Sequence, residues 1–359
     1  MKTIPIKSFL QAYFKFIKKF LPEQKADIRL GLDLGTREYK LVEVRLEGKD
    51  VHLVNCIVRN YNETNFAATV QPALDQIQSS SRFFSTAING KGTLVRFLDF
   101  PQMTAREFGQ SFAIEEDKYF PFPADEIYTD FQILEENSKS KTMSVIIAAA
   151  KKEIVDKKLE MLKPLTKPVG FMALHSIALT HAVDALGLNQ EMPAEGGVAL
   201  LDIGQTVSTL IIFAEGVPRF TRDIYIGGQD MTRRVGNAMS LSVEEAENLK
   251  CHPGERLQEV SQAVEAVVQS LIQELRLSFE YFATEKRTEV VKLYLTGGAA
   301  AMAGMEDIFK KNLETPVERW NILSSKNLKY DKERFADIMP HEAKLGAAFG
   351  LALYQYGKH

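Results

Sequence analysis

Leu32-Asp33-Leu34-Gly35-Thr36 and, in the second half of the chain, Leu201-Asp202-Ile203-Gly204-Gln205-Thr206 share one signature: an apolar run ending in aspartate, then glycine. Residues 28–33 and 198–202 have the composition of strands, and each run leads into a further apolar stretch, 40–46 and 210–213. Polar turns follow at Glu47-Gly48-Lys49-Asp50 and Glu215-Gly216, then third strands at 51–58 and 220–226. A strand–turn–strand–turn–strand unit that occurs twice predicts duplicated α/β domains.

The rest of the chain fits that frame. With 359 residues, 45% hydrophobic and 25% charged, it has the composition of a soluble globular protein of about two domains. A net charge of -3 argues against broad nucleic-acid binding. Cys56 and Cys251 lie outside any CxxC or Cys/His cluster, which fits a reducing compartment, and the six histidines lack metal-ligand spacing. No apolar run reaches the roughly 18–20 residues that span a bilayer. Lys15, Lys18 and Lys19 interrupt the place of a signal-peptide core, so a cytoplasmic protein is expected.

Residues 1–26 form a basic amphipathic segment. Phe9, Leu10, Tyr13, Phe14, Phe16, Ile17, Phe20 and Leu21 fall on one helical face, Lys7, Gln11, Lys15 and Lys18 on the other, and Pro22 ends the pattern. Such a helix either lies in a membrane interface through residues 1–25 or docks on its own domain.

Between the repeats, a strand at 92–98, a helix at 104–119 with Thr104 as N-cap, strands at 127–134 and 143–150, and a helix at Lys152–Leu162 predict a small α+β insertion. Helices are expected at 66–80, 242–250, Leu257–Lys286 and 343–354. In the longest, Val260, Val264, Val268, Leu271, Leu275 and Phe282 face inward.

No P-loop is present. Two Asp-x-Gly hairpins facing each other can clamp a triphosphate, because glycine lets backbone N–H groups approach phosphate oxygens. Lys40 can reach back toward a terminal phosphate, and Asp33 and Asp202 can hold a hydrated Mg²⁺. A third strand, Leu293-Tyr294-Leu295-Thr296, ends in Gly297-Gly298, with Gly304 beyond, and offers a flat surface for a purine and ribose.

In this order the three motifs resemble the phosphate 1, phosphate 2 and adenosine motifs of the actin/Hsp70/sugar-kinase superfamily. Within it, the chain is most similar to the PilM family of type IV pilus inner-membrane assembly proteins. The supporting segments are 113–123, 226–232, 244–250 and Pro316-Val317-Glu318.

The resemblance implies an actin-like, ribonuclease H-like two-domain α/β fold with an inserted α+β 1C subdomain. Its parts would be subdomain 1A (27–91, 169–195 and 341–357), 1C (92–168), 2A (196–228 and 288–340) and 2B (229–287). It implies ATP or ADP with Mg²⁺ in the interdomain cleft. The binding residues would be Asp33, Gly35, Thr36, Lys40, Asp202, Gly204, Gln205, Thr206, Gly228, Gly297, Gly298 and Ala299, with Glu247 and Lys250 at the nucleoside. It also implies a partner, the cytoplasmic N-terminal peptide of a PilN-like single-span membrane protein held near subdomains 1A and 1C, and a peripheral place at the inner membrane.

The chain departs from the family at Gly297-Gly298-Ala299-Ala300, where Gly-Gly-Gly-Ala is usual. Arg37, Glu38 and Tyr39 stand where small Ser/Thr residues are common, and they either point outward or crowd a third phosphate. No residue is identifiable as positioning an attacking water, so slow ATP turnover or none is expected. The alternatives are an FtsA-like division protein, a type II secretion L protein, or a sugar or acid kinase of the same fold using Glu115, Glu116 or Asp117 as base. FtsA anchors through a C-terminal amphipathic helix, whereas the amphipathic segment here is N-terminal. The L protein continues into a membrane span.

Overall fold

A computed structural model describes residues 27–61, 65–137 and 140–354. The amphipathic N-terminal segment lies outside the described residues.

The first repeat is β1 (Asp27–Leu34), β2 (Glu38–Glu47) and β3 (Asp50–Asn60); the second is β9 (Gly197–Ile203), β10 (Ser208–Ala214) and β11 (Val217–Ile224). Each is an antiparallel meander, and each is extended by parallel strands on the side of its first strand. β4 (Phe84–Ile88) and β8 (Val169–Leu174) join β1, while β12 (Val290–Thr296) and β13 (Val317–Arg319) join β9. The two sheets thus have the same strand order, β3-β2-β1-β4-β8 and β11-β10-β9-β12-β13. A two-residue strand from the second half, β14 (Leu328–Lys329), pairs with β3 and completes the first sheet.

Strand periodicity sets the layers. Leu30, Leu32 and Leu41 face α1 (Phe66–Ile77), where Val70 and Leu74 meet them. Val42 and Val44 point the other way, into a core shared by both sheets. That core holds Leu179 and Val183 of α4 (His175–Ala185), Phe349 of α9 (Gly346–Leu353), and Val198, Leu200, Ile211 and Phe213 from the second sheet. The far face of the second sheet packs on α5 (Gly228–Met239) and α7 (Leu257–Lys286). All six residues expected inward on α7 are buried.

The region between the repeats folds as a three-stranded sheet. β7 (Thr142–Lys151) lies between β5 (Thr93–Pro101) and β6 (Ile127–Asn137), and α2 (Ala105–Tyr119) covers one face through Phe108 and Phe112. α3 (Lys152–Leu162) leads back to the first sheet. Thr104 caps α2 in a capping box with Glu107.

Several boundaries differ from the sequence reading. α1 stops at Ile77, where Gln78 turns left-handed (φ 49°). The last helix begins at Gly346, after a 3₁₀ stretch over Met339–Lys344. β4, β8, α4 and α5 have no counterpart in that reading. Cys56 and Cys251 are free thiols.

α9 fits between β1 and α4 only because glycines remove side chains at its crossings. A Cβ on Gly31 would lie 2.3 Å from the Ala348 carbonyl oxygen, and one on Gly350 would lie 1.7 Å from that of Ala178. Both obstacles are backbone, so relief requires moving a helix. Gly350→Ala is expected to destabilise the fold by roughly 2–3 kcal/mol, read as a lowered urea midpoint. An unchanged midpoint would mean that the two helices are not held at this spacing.

Candidate functional site

The two Asp-x-Gly hairpins, the Gly-Gly strand end and the start of α4 meet between the sheets. Each hairpin is closed by one bond of the same kind: Gly35 N–H to the Glu38 carbonyl (3.0 Å) and Gly204 N–H to the Val207 carbonyl (3.1 Å). The tips carry exposed Thr36 and Thr206, one and two residues past their glycines. The second hairpin is riveted to α5, because Gly228 N–H donates to the Gly204 carbonyl (2.9 Å) and Gln229 N–H to the Gln205 carbonyl (2.7 Å). A Cβ on Gly227 would meet those same carbonyls at 2.7–2.8 Å, so glycine is required there.

The strand end at Gly297 docks against the second hairpin. Gly297 sits at φ +97°, and a Cβ there would lie 2.0 Å from Asp202 Oδ1 and 2.6 Å from the Ile203 amide nitrogen. Gly298 is different: its backbone is right-handed helical (φ −62°), and its nearest neighbour is Lys344 Cγ at 4.0 Å. The floor beside it is open. Ala299 is buried under Gly228, 3.2 Å from that residue's Cβ position, which accounts for a small residue in the third place of the motif.

The charged residues form two pairs. Lys40 Nζ donates to Asp33 Oδ2 (3.1 Å), and His175 Nε2 lies 2.5 Å from Asp202 Oδ2. Burial, the largest single influence on Asp33, opposes its charge. Lys40 and His175 outweigh it and hold the carboxyl below its ordinary range. For His175, burial again weighs most and disfavours the imidazolium. The Asp202 hydrogen bond and charge, with Asp33 added, together hold its pKa above the ordinary 6.5.

His175 is the residue that the sequence reading misses. It opens α4 at the carboxyl end of the parallel strand β8, the position where open α/β sheets place ligand groups. A short apolar run followed by a helix-start histidine is the signal that could have found it.

The predicted nucleoside pair lies on α6 (Val243–Cys251), which Ser242 caps. Lys250 is buried and donates to the Gly228 carbonyl (3.0 Å), Thr232 Oγ1 (2.8 Å) and Glu247 Oε2 (2.8 Å). Glu247 also accepts from the Thr232 hydroxyl and pairs with Arg37 of the first hairpin, 3.3 Å across the cleft. Glu38 pairs with Lys344 at 2.8 Å, while Tyr39 is buried against α1. All three bulky residues of the first hairpin therefore have partners of their own.

The donor set can be tested against a nucleotide and its metal. The open floor at Gly298 and the exposed threonine tips suit a sugar and phosphates. Direct metal ligation does not suit Asp33 and Asp202, since each has given one oxygen to a protein cation. Among the described residues no three His, Cys, Asp or Glu side chains gather to hold an ion. A phosphate-borne Mg²⁺ met through water remains compatible with them. Glu115 pairs with Lys118, and Glu116 accepts from Thr129, within the three-stranded unit.

Paired sheets of one topology, with glycine turns from both at their junction, define an actin-like two-domain protein. The family model for type IV pilus assembly protein PilM matches residues 31–356. The chain belongs to that family, and type IV pilus assembly is its general role. A solved PilM-PilN type IV pilus biogenesis complex is similar at 24% identity and TM-score 0.78, covering 90% of this chain and 97% of the other. The ethanolamine utilization protein EutJ from Carboxydothermus hydrogenoformans shares the fold at 13% identity and TM-score 0.55, with 94% of each chain covered. Among the described residues no helix is long and apolar enough to cross a membrane.

The His175–Asp202 pair gives stability a pH dependence. A raised folded pKa contributes stability that is full below about pH 6.5 and is lost as pH rises through the folded value. The urea midpoint of the wild type should fall as pH rises from about 6.5 through the raised folded value. His175→Gln should start lower by about 2 kcal/mol and decline less. Parallel curves would remove His175 as the titrating group.

Proposed function

We propose that this chain is a nucleotide-binding scaffold of type IV pilus assembly, holding ATP or ADP in the cleft between its two sheets. One observation carries the reading: two hairpins of the same construction and a strand ending in Gly-Gly converge on one open floor. Thr36 and Thr206, with Gly35 and Gly204 giving close approach, would meet the phosphates. Gln205, Gly228, Glu247, Lys250, Gly298 and Ala299 would surround the nucleoside. Bound ATP carries Mg²⁺ on its phosphates, and Asp33 and Asp202 would orient its waters. Asp33, held below its ordinary pKa range with Lys40 beside it, is a weak base, so turnover is slow or absent.

The partner half of the proposal rests on the similar PilM-PilN complex. The chain would recruit the N-terminal cytoplasmic peptide of a PilN-like single-span protein beside the three-stranded unit, with 27–91, 169–195 and 341–357 as subdomain 1A and 92–168 as 1C. Subdomains 2A (196–228 and 288–340) and 2B (229–287) would form the other wall of the cleft. The protein would then work in the cytoplasm at the inner membrane, aided by residues 1–25.

Gly298→Leu tests the cleft. Gly298 is exposed, its backbone is in a region open to any residue, and a Cβ there meets only Lys344 Cγ, at 4.0 Å. ATP affinity by calorimetry should fall more than about tenfold, while the thermal midpoint shifts by under about 2 °C. Undiminished ATP binding would move the nucleotide elsewhere. A pull-down with an immobilised PilN-like N-terminal peptide tests recruitment, and failure of the folded chain to be retained would end that half of the reading.

A further inference from the structure

The nucleotide reading leaves Arg37 unexplained. It projects from the tip of the first hairpin and reaches Glu247 on α6, so one ion pair at 3.3 Å ties the first sheet's phosphate turn to the helix pair of the second half. Building on the proposed nucleotide site, we propose that Arg37 is a third-phosphate sensor: it pairs with Glu247 when the cleft holds ADP or no nucleotide, and transfers to the terminal phosphate of ATP.

Three features make this exchange physically easy. The turn itself is pinned: Tyr61 N–H donates to the Arg37 carbonyl (2.9 Å), the Tyr61 hydroxyl to the Gly35 carbonyl (2.6 Å), and Gly35 N–H to Glu38. The side chain can therefore move while the loop keeps its shape.

The pair is also unequal. The Arg37 side chain is 44% exposed and Glu247 only 17%, and exposed ion pairs are weak and readily exchanged. Glu247 does not become an orphan charge when Arg37 leaves. Lys250 and the Thr232 hydroxyl still hold its Oε2, whereas Arg37 engages Oε1. Exchange thus leaves Oε1, beside the proposed nucleoside position, with only the weak Cys251 thiol donor at 3.7 Å, while Oε2 stays fixed.

The third feature is chemical. A guanidinium is a planar fork that donates two N–H bonds to two oxygens of one phosphate, and a terminal phosphate carries more charge than a carboxylate. ADP is one phosphoryl group shorter and lacks this acceptor. The two nucleotides would then leave the cleft in different states, tied to α6 with ADP and untied with ATP. Coupling of this kind is reciprocal: whatever closes Arg37 on Glu247 lowers ATP affinity.

The test compares ATP and ADP affinities, by calorimetry, for wild type, Arg37→Ala and Arg37→Lys. For Arg37→Ala, ATP affinity is expected to fall about tenfold, with ADP affinity kept within about twofold. Arg37→Lys, which retains charge without the fork, should recover part of the ATP preference. Equal changes for both nucleotides, or none, overturn the sensor and leave nucleotide binding standing. A wild type that binds neither nucleotide overturns both. If Arg37→Ala fails to fold, the same comparison is read from Arg37→Lys, where an unaltered ATP-to-ADP ratio overturns the proposal.

Discussion

Asp202 places a carboxylate at the inner end of a strand buried on both sides, where an unpaired charge would be costly. Its compensation comes from the other half of the molecule, since His175 opens the helix that follows β8 of the first sheet. Gly297 then closes against the same carboxylate, where a single added carbon would collide. Strand end, opposing helix and glycine turn are thus positioned by one charged group. The Asp33–Lys40 pair repeats the device on the first sheet, within one hairpin rather than across the cleft.

Tying one oxygen of each aspartate to a protein side chain, Lys40 or His175, changes what this site can do. It is a near-balanced surface with small residues and hydroxyls at its rim. Such a surface suits holding a polyphosphate better than activating water against it. Under the proposed reading, a bound nucleotide would set shape and a peptide partner would use that shape. That division of labour also suits a family whose general role is assembly.

The sequence made the repeats legible because each has an antiparallel meander between polar turns, and Gly48 and Gly216 sit at positive φ where such turns need them. The α2 cap and the inward face of α7 were legible for similarly local reasons. β4 and β8 were not. They are short parallel strands, β4 inside the first sheet and β8 at its edge, and neither shows the clean alternation of a one-sided strand. Missing β8 concealed α4, and with it His175. Arg37 looked like an intruder in a phosphate turn, because its partner lies 210 positions further along the chain (247−37) and no local pattern announces such a pairing.

The order of synthesis matters for this architecture. β14 supplies the outer edge of the first sheet from residues 328–329, and α9 fills its inner face from 346–353. The amino-terminal half therefore leaves the ribosome with one sheet edge uncovered and one hydrophobic face bare, and it stays so until residues 328–353 have been made. A nascent chain of this kind has reason to meet a chaperone before its fold is closed.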